Sequence, residues 1–537
     1  MKNEIFHTGI RGSGYAKLLY EQKYARRGSA AKNPFLHLPR FSPRLVQNAI
    51  RLVGTDPDRF LVALNLLQGV EDGGLCIRTD DPVFADKKFK KPVFAQDDLI
   101  AEDSGCYYFR KYLEYENYVA GAASLLLQQA ALPVWQATDA IAEPERFTLE
   151  QNMGKALSFI TGGPGTGKTT ILKTLLQAAL DSGIEAEKIA LCAPTGKAAK
   201  RMKESCTVLY ETYPGLQEPF TIHRLLGYNP HSGRLRHTAE NPLNYKLLIV
   251  DEASMVDLQM FYYLLQAIPK NTHFRMVVAG DSEQLLSVRA GSVFAEMIAV
   301  GKNVLLLEKT YRQKKDAEGI LQFANALKKQ NVALQPFIEG RAGVKLHLVE
   351  QEADIPGELC QWYERYKENG QILSPYNEGD FGVDGINRMI YEMNHPGPDM
   401  DFGSLEFCSG DPVIFSGNHY DLGVFNGETG LLEIKEGEFY FRQQDRLVKL
   451  DRNHMAFVKH AYCITVHKSQ GSEYQDVCIV IPERKEDLPG KRMLYTAITR
   501  ARESVSIICS QRILQQVLSQ KNDSRESRLK DKILQNL

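Results

Sequence analysis

Leu157-Ser158-Phe159-Ile160-Thr161-Gly162-Gly163-Pro164-Gly165-Thr166-Gly167-Lys168-Thr169-Thr170 is the stretch that decides the fold. Leu157 to Thr161 is a short apolar run, as expected of a buried parallel strand. Gly162 to Thr169 then fits G-x-x-x-x-G-K-[ST] in full, the pattern of a loop that wraps phosphate. Its glycines let the backbone turn N–H groups inward, onto phosphate oxygens. Lys168 is placed to reach the β- and γ-phosphates, and the Thr169 hydroxyl to ligate Mg²⁺. Ile171, Leu172, Leu175, Leu176 and Ala179 follow at helical spacing. The start of that helix adds partial positive charge beneath the ligand, with Thr170 in its first turn.

Further apolar runs alternate with helical stretches downstream. They are Ile189 to Cys192, Leu247 to Val250, Met276 to Ala279 and Val304 to Leu307, each ending in a polar or glycine-rich turn. This alternation predicts a doubly wound parallel sheet that binds ligands at the carboxyl ends of its strands. A second such region has strand candidates at Gln371 to Leu373, Val477 to Val480 and Val505 to Ile508. Between them, from about 403 to 460, short runs separated by Gly and Asn turns predict a small all-β insert. Residues 1–148 mix helical patterns with polar turns, and Tyr107 to Leu127 has a helix-like spacing of apolar and aromatic residues. The tail from Lys521 reads as a surface helix or frayed end.

The 537 residues are too many for one compact core. A hydrophobic share of 43% and a charged share of 24% are those of a globular protein. The formal net charge of −1 gives no global signature of a nucleic-acid binder, so such binding would rest on local patches. Nine scattered cysteines without metal spacing read as reduced thiols, and no apolar run reaches membrane-spanning length. The expectation is a cytoplasmic protein without a membrane segment.

Candidate chemistry gathers at the strand ends. Asp251, directly after Leu247 to Val250, is assigned to Mg²⁺, and Glu252 to the base that activates water. Gln284, in Gly280-Asp281-Ser282-Glu283-Gln284-Leu285, is a candidate to contact the γ-phosphate or the attacking water. Arg312, in Glu308-Lys309-Thr310-Tyr311-Arg312-Gln313, and Arg500, in Tyr495-Thr496-Ala497-Ile498-Thr499-Arg500, are candidates to stabilise charge developing on the γ-phosphoryl group.

In order along the chain, the phosphate loop, Ala193 to Ala199, Thr221 to Leu226, Asp251 to Ser254, Gly280 to Leu285, Thr310 to Gln313, Thr465 to Glu473 and Tyr495 to Arg502 resemble the motifs of superfamily 1 helicases. Their wording is most similar to the RecD family, that of the exodeoxyribonuclease V (RecBCD) alpha subunit. Gly410 to Phe415 and Gly423 to Gly430 resemble that family's SH3-like insert. The resemblance implies an α/β chain with two RecA-like P-loop NTPase domains, a mostly helical N-terminal domain and a small SH3-like insert. Its expected boundaries are a docking domain at 1–148, one motor domain at 149–335, and a second at 336–537 carrying the insert at about 403–460.

The resemblance also implies ATP and Mg²⁺ between the motor domains, single-stranded or tailed duplex DNA across their top, 5′→3′ travel, and RecB-like and RecC-like partners. Glu473 is expected near the ribose. The adenine-reading glutamine is assigned to Gln151, although it lies closer to Gly162 than the family pattern and Gln136 lies farther. Thr195, Lys197, Thr221, His223, Thr465 and His467 are the expected DNA contacts. Residues 191–236 agree with such a track, carrying seven Lys or Arg against three Glu for a local charge of +4. Residues 227–243 are expected to form a duplex-splitting hairpin. A helicase working without partners, and an ATP-gated DNA clamp that does not travel, are the other readings. A nuclease is not indicated.

Overall fold

The computed structural model of the chain describes residues 43–54, 56–84, 90–130, 132–133, 150, 154–270, 273–309, 318–328, 337, 343–395, 397, 400–402, 405–419, 421–444, 446–484, 488–520 and 525–537. Gln136, Gln151 and Arg312 lie outside them.

The phosphate-loop strand, Leu157–Gly162, is buried at every position. It sits in a six-stranded sheet ordered Phe220–Thr221, Ile189–Ala193, Leu247–Val250, Arg275–Gly280, Leu157–Gly162, Val304–Leu307. Every pairing in that sheet is parallel. Parallel strands must be joined by crossovers, so helices cover both faces and the strands are apolar throughout. One face packs on Lys168–Asp181 through Ile171, Leu172, Leu175 and Leu176. The other packs on Leu258–Gln266 and on Arg110–Gln128 from the N-terminal region.

A second parallel sheet is ordered Val344–Val349, Ala501–Ser510, Tyr474–Ile481, Gly370–Ser374, Cys463–Thr465. Between its strands Gly370–Ser374 and Cys463–Thr465 the chain leaves to build a five-stranded antiparallel sheet. That sheet is ordered Arg446–Leu450, Glu438–Gln443, Thr429–Lys435, Pro412–Phe415, Val458–His460. Its core holds Val413, Phe415, Leu432, Phe441 and Val458. The expected all-β insert is therefore present, one strand richer than the four short runs suggested.

Three differences from the sequence reading have physical causes. Tyr107 to Phe109 is not helical: Cys106–Phe109 is the central strand of a three-stranded antiparallel sheet, and the helix begins at Arg110. Consecutive aromatic side chains fit a pleated surface buried on both sides. The N-terminal region thus combines helices at Pro43–Val53, Pro57–Glu71 and Arg110–Gln128 with a sheet.

The tail is not frayed. Leu529 and Ile533, one helical turn apart, are fully buried against Arg110–Gln128 and Val293–Val300. Glu116, also fully buried, accepts from Ser527 Oγ (3.0 Å), Arg528 N (2.9 Å) and the Tyr108 hydroxyl (2.9 Å) and lies 3.0 Å from Lys532 Nζ.

The expected hairpin at 227–243 is a compact loop instead. It contains one antiparallel bridge, Asn229 to Arg234, and no named strand. The Asn229 carboxamide accepts from His231 N and Ser232 N. That side-chain turn occupies the residues a longer ladder would need.

Candidate nucleotide site and polymer track

All strands of the first sheet run the same way, so the loops that follow them share one edge. Gly165 (φ 72°) and Gly167 (φ 85°) take the left-handed conformation that lets the loop after Leu157–Gly162 close over the helix start. The Lys168 ammonium lies along this loop, donating to Gly162 O (2.5 Å) and Gly163 O (3.0 Å). Thr166 donates to Gly163 O at 2.8 Å. The first N–H groups of Lys168–Asp181 have no side-chain cap.

Asp251 leaves the strand Leu247–Val250, and its Oδ1 accepts from Glu252 N at 2.8 Å. Burial, and then the Glu252 charge, push its carboxyl up to about 6. Glu252 itself has φ 52°, uncommon for a residue with a side chain. That strain, invisible in sequence, aims a second carboxylate from the same turn.

Asp281 is the principal residue the sequence reading passed over as an ordinary turn. It is buried and accepts from Glu283 N (3.0 Å), Gln284 Nε2 (3.1 Å) and the Tyr495 hydroxyl (3.3 Å). Gln284 is thereby held in the wall, 4% exposed, rather than projecting freely. The same loop meets the second α/β unit repeatedly. Leu285 N donates to Thr496 Oγ1 (2.8 Å), and Arg492 donates to Gln284 O (3.2 Å) and to Ser282 O. No periodic signal marked Arg492.

The helix Lys491–Ile498 also overhangs the phosphate loop: a Cβ added at Gly163 would stand 3.2 Å from the Tyr495 hydroxyl. Arg500 enters the same cleft. Its guanidinium donates to Thr496 O (3.1 Å) and Ser472 O (3.2 Å). Burial lowers its proton affinity, against Glu252, Glu473 and Asp281, which favour its charge. Glu473 accepts from Arg502 Nε at 2.9 Å. The structure thus brings Lys168, Asp251, Glu252, Gln284 and Arg500 to one interdomain cleft.

Of the six residues expected on DNA, Thr195 and Thr221 are placed away from that cluster by the strand order. Thr221 ends one strand and Thr195 lies two residues beyond the end of its neighbour, at the opposite side of the same sheet edge. Ile189–Ala193 is three strands from Leu157–Gly162, roughly 14 Å at ordinary strand spacing. Both threonines cap helices, accepting from Ala198 N and Arg224 N at 3.2 Å each. His223 packs edge-on to Tyr228, with centroids 5.4 Å apart. Thr465 ends its own strand and accepts from Lys468 N (3.2 Å). Burial lowers the His467 pKa, with Arg525 nearby adding to the effect.

The basic patch is partly spoken for by protein. Lys197 donates to Gly427 O (3.2 Å), and burial lowers its pKa to about 8. Lys200 donates to Glu428 Oε1 (2.9 Å) and Gln443 Oε1 (2.6 Å), and Lys203 pairs with Glu218. The contacts of Lys197 and Lys200 reach into the β-insert, whose Phe425 ring leaves no room for a Cβ at Gly196.

None of the nine cysteines is in a disulfide, and no helix among the described residues is long and apolar enough to cross a membrane.

Residues 146–290 match the AAA domain family, and residues 460–508 the UvrD-like helicase C-terminal domain. An ATP-dependent RecD2 DNA helicase of Deinococcus radiodurans is 30% identical over 407 residues, 74% of this chain and 53% of that protein. The chain therefore spans about half the length of that relative. The RecBCD enzyme subunit RecD of Mycolicibacterium smegmatis is 31% identical over 404 residues, 68% of this chain and 70% of the subunit. A Bacteroides Pif1 helicase solved with ADP-AlF3 and single-stranded DNA is 17% identical, covering 69% of this chain and 92% of that one, with a TM-score of 0.43. On the match to the mycobacterial subunit, this chain belongs to the RecD family of superfamily 1, a family of ATP-hydrolysing DNA helicases.

Proposed function

We propose that this chain is an ATP-driven helicase that moves 5′→3′ on DNA as the RecD-like subunit of a RecBCD-type complex, in cytoplasmic double-strand break repair. The observation that carries the reading is the cleft itself. Lys168, Asp251 and Glu252 come from one parallel sheet, Arg500 from the other, and Asp281 to Leu285 are hydrogen-bonded across the gap.

In this reading Lys168 exchanges its loop carbonyls for the β- and γ-phosphates of ATP. Glu252 takes the proton of the attacking water, and Gln284 passes the state of the γ-phosphate to Thr496 and Tyr495. Arg500 balances charge as the cleft closes, and Arg312 is assigned the same work. Gly162 to Thr170 cradle the phosphates, Glu473 faces the ribose and Gln151 the adenine. Thr169 and Asp251 present the hard oxygen donors that suit Mg²⁺. Two adjacent half-buried carboxylates, one of them pushed up to about 6, are the electrostatic setting a divalent cation relieves. When bound, that ion neutralises phosphate charge.

Thr195, Lys197, Thr221, His223, Thr465 and His467 contact the DNA backbone, where short polar groups hold any sequence. Residues 1–148 dock on RecB-like and RecC-like subunits, 149–335 and 336–537 are the two motor domains, and the antiparallel sheet is an SH3-like module. Alternate closing and opening of the cleft moves the strand.

The test is unwinding of 5′-tailed and 3′-tailed duplexes by the purified chain, with Lys168→Gln as the blank. Selective opening of the 5′-tailed duplex supports the polarity, and opening of the 3′-tailed duplex alone refutes it. A second reading, a motor that needs no partner subunits, draws on the Deinococcus relative, which is named an ATP-dependent DNA helicase. Strand separation by the chain alone favours it. DNA-stimulated hydrolysis without strand separation favours the subunit.

A further inference from the structure

We propose that the β-insert carries a zinc-class metal site built from His419, Asp421 and His454. One ring nitrogen of each histidine and one Asp421 oxygen lie within 4.8 Å of one another. The closest measured pair, His454 Nε2 and Asp421 Oδ2, is 3.4 Å apart. Donors held at about 2.0–2.1 Å around a tetrahedral ion stand roughly 3.3–3.4 Å from each other, so this pair already has the required edge. An ion pair alone would explain that distance, but not the other features of the site.

His419 is the first of these. Its Nε2 is buried and has no hydrogen-bond partner. The ring is walled by Phe457 and Phe415, with centroids 4.7 and 5.5 Å away, and stands 5.2 Å from the His454 ring. A buried ring nitrogen without a partner is costly unless something takes its lone pair.

The second feature is the support behind His454. Its Nδ1 lies 2.9 Å from Asp451 Oδ1. That Nδ1 accepts from Asp451 N at 3.2 Å; ligation at Nε2 would place the ring proton on Nδ1, facing the Asp451 carboxylate, the carboxylate–histidine arrangement that orients metal ligands.

Both segments are fixed in advance. His419 N donates to Val424 O (2.7 Å) and Val424 N to His419 O (3.0 Å), closing the turn that bears Asp421. Asp451 caps the short helix Arg452–Met455 that bears His454. Two imidazoles and one carboxylate form a borderline donor set, which suits zinc better than magnesium or calcium and leaves a fourth position for water. The turn runs directly into Phe425 and Gly427, which rest on Gly196 and Lys197. A bound ion would therefore stiffen the part of the insert that bears on the first α/β unit.

The test uses the full chain, stripped with chelator and dialysed, then titrated with Zn²⁺ and separately with Co²⁺. The expected result is one ion per chain, the visible absorption of tetrahedral Co²⁺, and a Tm several degrees higher with Zn²⁺. His454→Gln and Asp421→Asn should each weaken binding at least tenfold. Asp421 is exposed, so Asp421→Asn should leave the metal-free Tm unchanged. Failure of the parent chain to retain zinc would overturn the proposal, as would undiminished stoichiometry and affinity in Asp421→Asn.

Discussion

The Tyr495 hydroxyl lies 3.3 Å from Asp281 Oδ2, so a side chain of the second α/β unit is tied to a strand-end carboxylate of the first. Burial, with Asp281 adding to it, raises the Tyr495 pKa well above that of an ordinary phenol, so the group stays a donor. A hydrogen bond to a charged group contributes about 1.5–3 kcal/mol. If the bond forms only as the cleft closes, its loss falls on turnover. Tyr495→Phe should lower the kcat of DNA-stimulated ATP hydrolysis about tenfold and leave KM for ATP within about twofold. Steady-state ATPase assays decide it; a change confined to KM would mean the bond serves binding alone.

Removing the loop cation has a different signature from removing the base. Lys168→Gln should abolish hydrolysis and weaken nucleotide binding, because the β- and γ-phosphates lose their fixed positive charge. Glu252→Gln keeps that charge and should trap bound ATP with turnover reduced at least a hundredfold. Single-turnover hydrolysis beside fluorescent-nucleotide binding separates the two. Near-normal turnover in Lys168→Gln would refute the site.

The anchored tail should make stability pH-dependent. Burial, and then Glu116, raise the Glu296 pKa to about 7 from 4.5, against the backbone N–H of Lys530. A carboxyl raised in the folded state binds its proton more tightly there. Its contribution to stability is present in full below the unfolded value and is lost as pH rises through about 7. Glu296→Gln should therefore flatten the fall in Tm between about pH 5 and about pH 8. Parallel Tm profiles for the two proteins would sink this account.

The loop from Asn229 to Arg234 projects from the end of the proposed polymer track, with Tyr228 exposed at its base. Replacing Pro230 to Gly233 with a two-residue Asn-Gly turn should reduce unwinding of tailed duplex and leave DNA-stimulated ATPase within about twofold, provided the loop parts the strands. Equal losses in both assays would assign it a structural role.

Much of this was legible in the sequence where local signals act alone. The eight strand candidates of the two parallel sheets, Leu157 to Thr161 included, and the four runs of the insert are apolar runs closed by turns, and each lies within a strand. The short edge strands Phe220–Thr221 and Cys463–Thr465 were missed because two or three residues cannot establish a period. The chemistry was legible at Asp251 and Glu252, which follow a strand directly. It was not legible at Asp281 or Arg492, whose roles depend on a partner some 210 residues away. Nor could composition show that Lys197 and Lys200 turn toward the insert, since a basic run reads the same whatever it faces.

The tie between Glu116 and the tail also constrains the order in which the chain is made. Ser527 lies 411 residues after Glu116, and Lys532 follows it. Until those residues emerge from the ribosome, the nascent N-terminal layer holds a carboxylate without its cation and an apolar face without Leu529 and Ile533. That layer therefore cannot mature until residues 527–533 have been made, about 410 residues after Glu116.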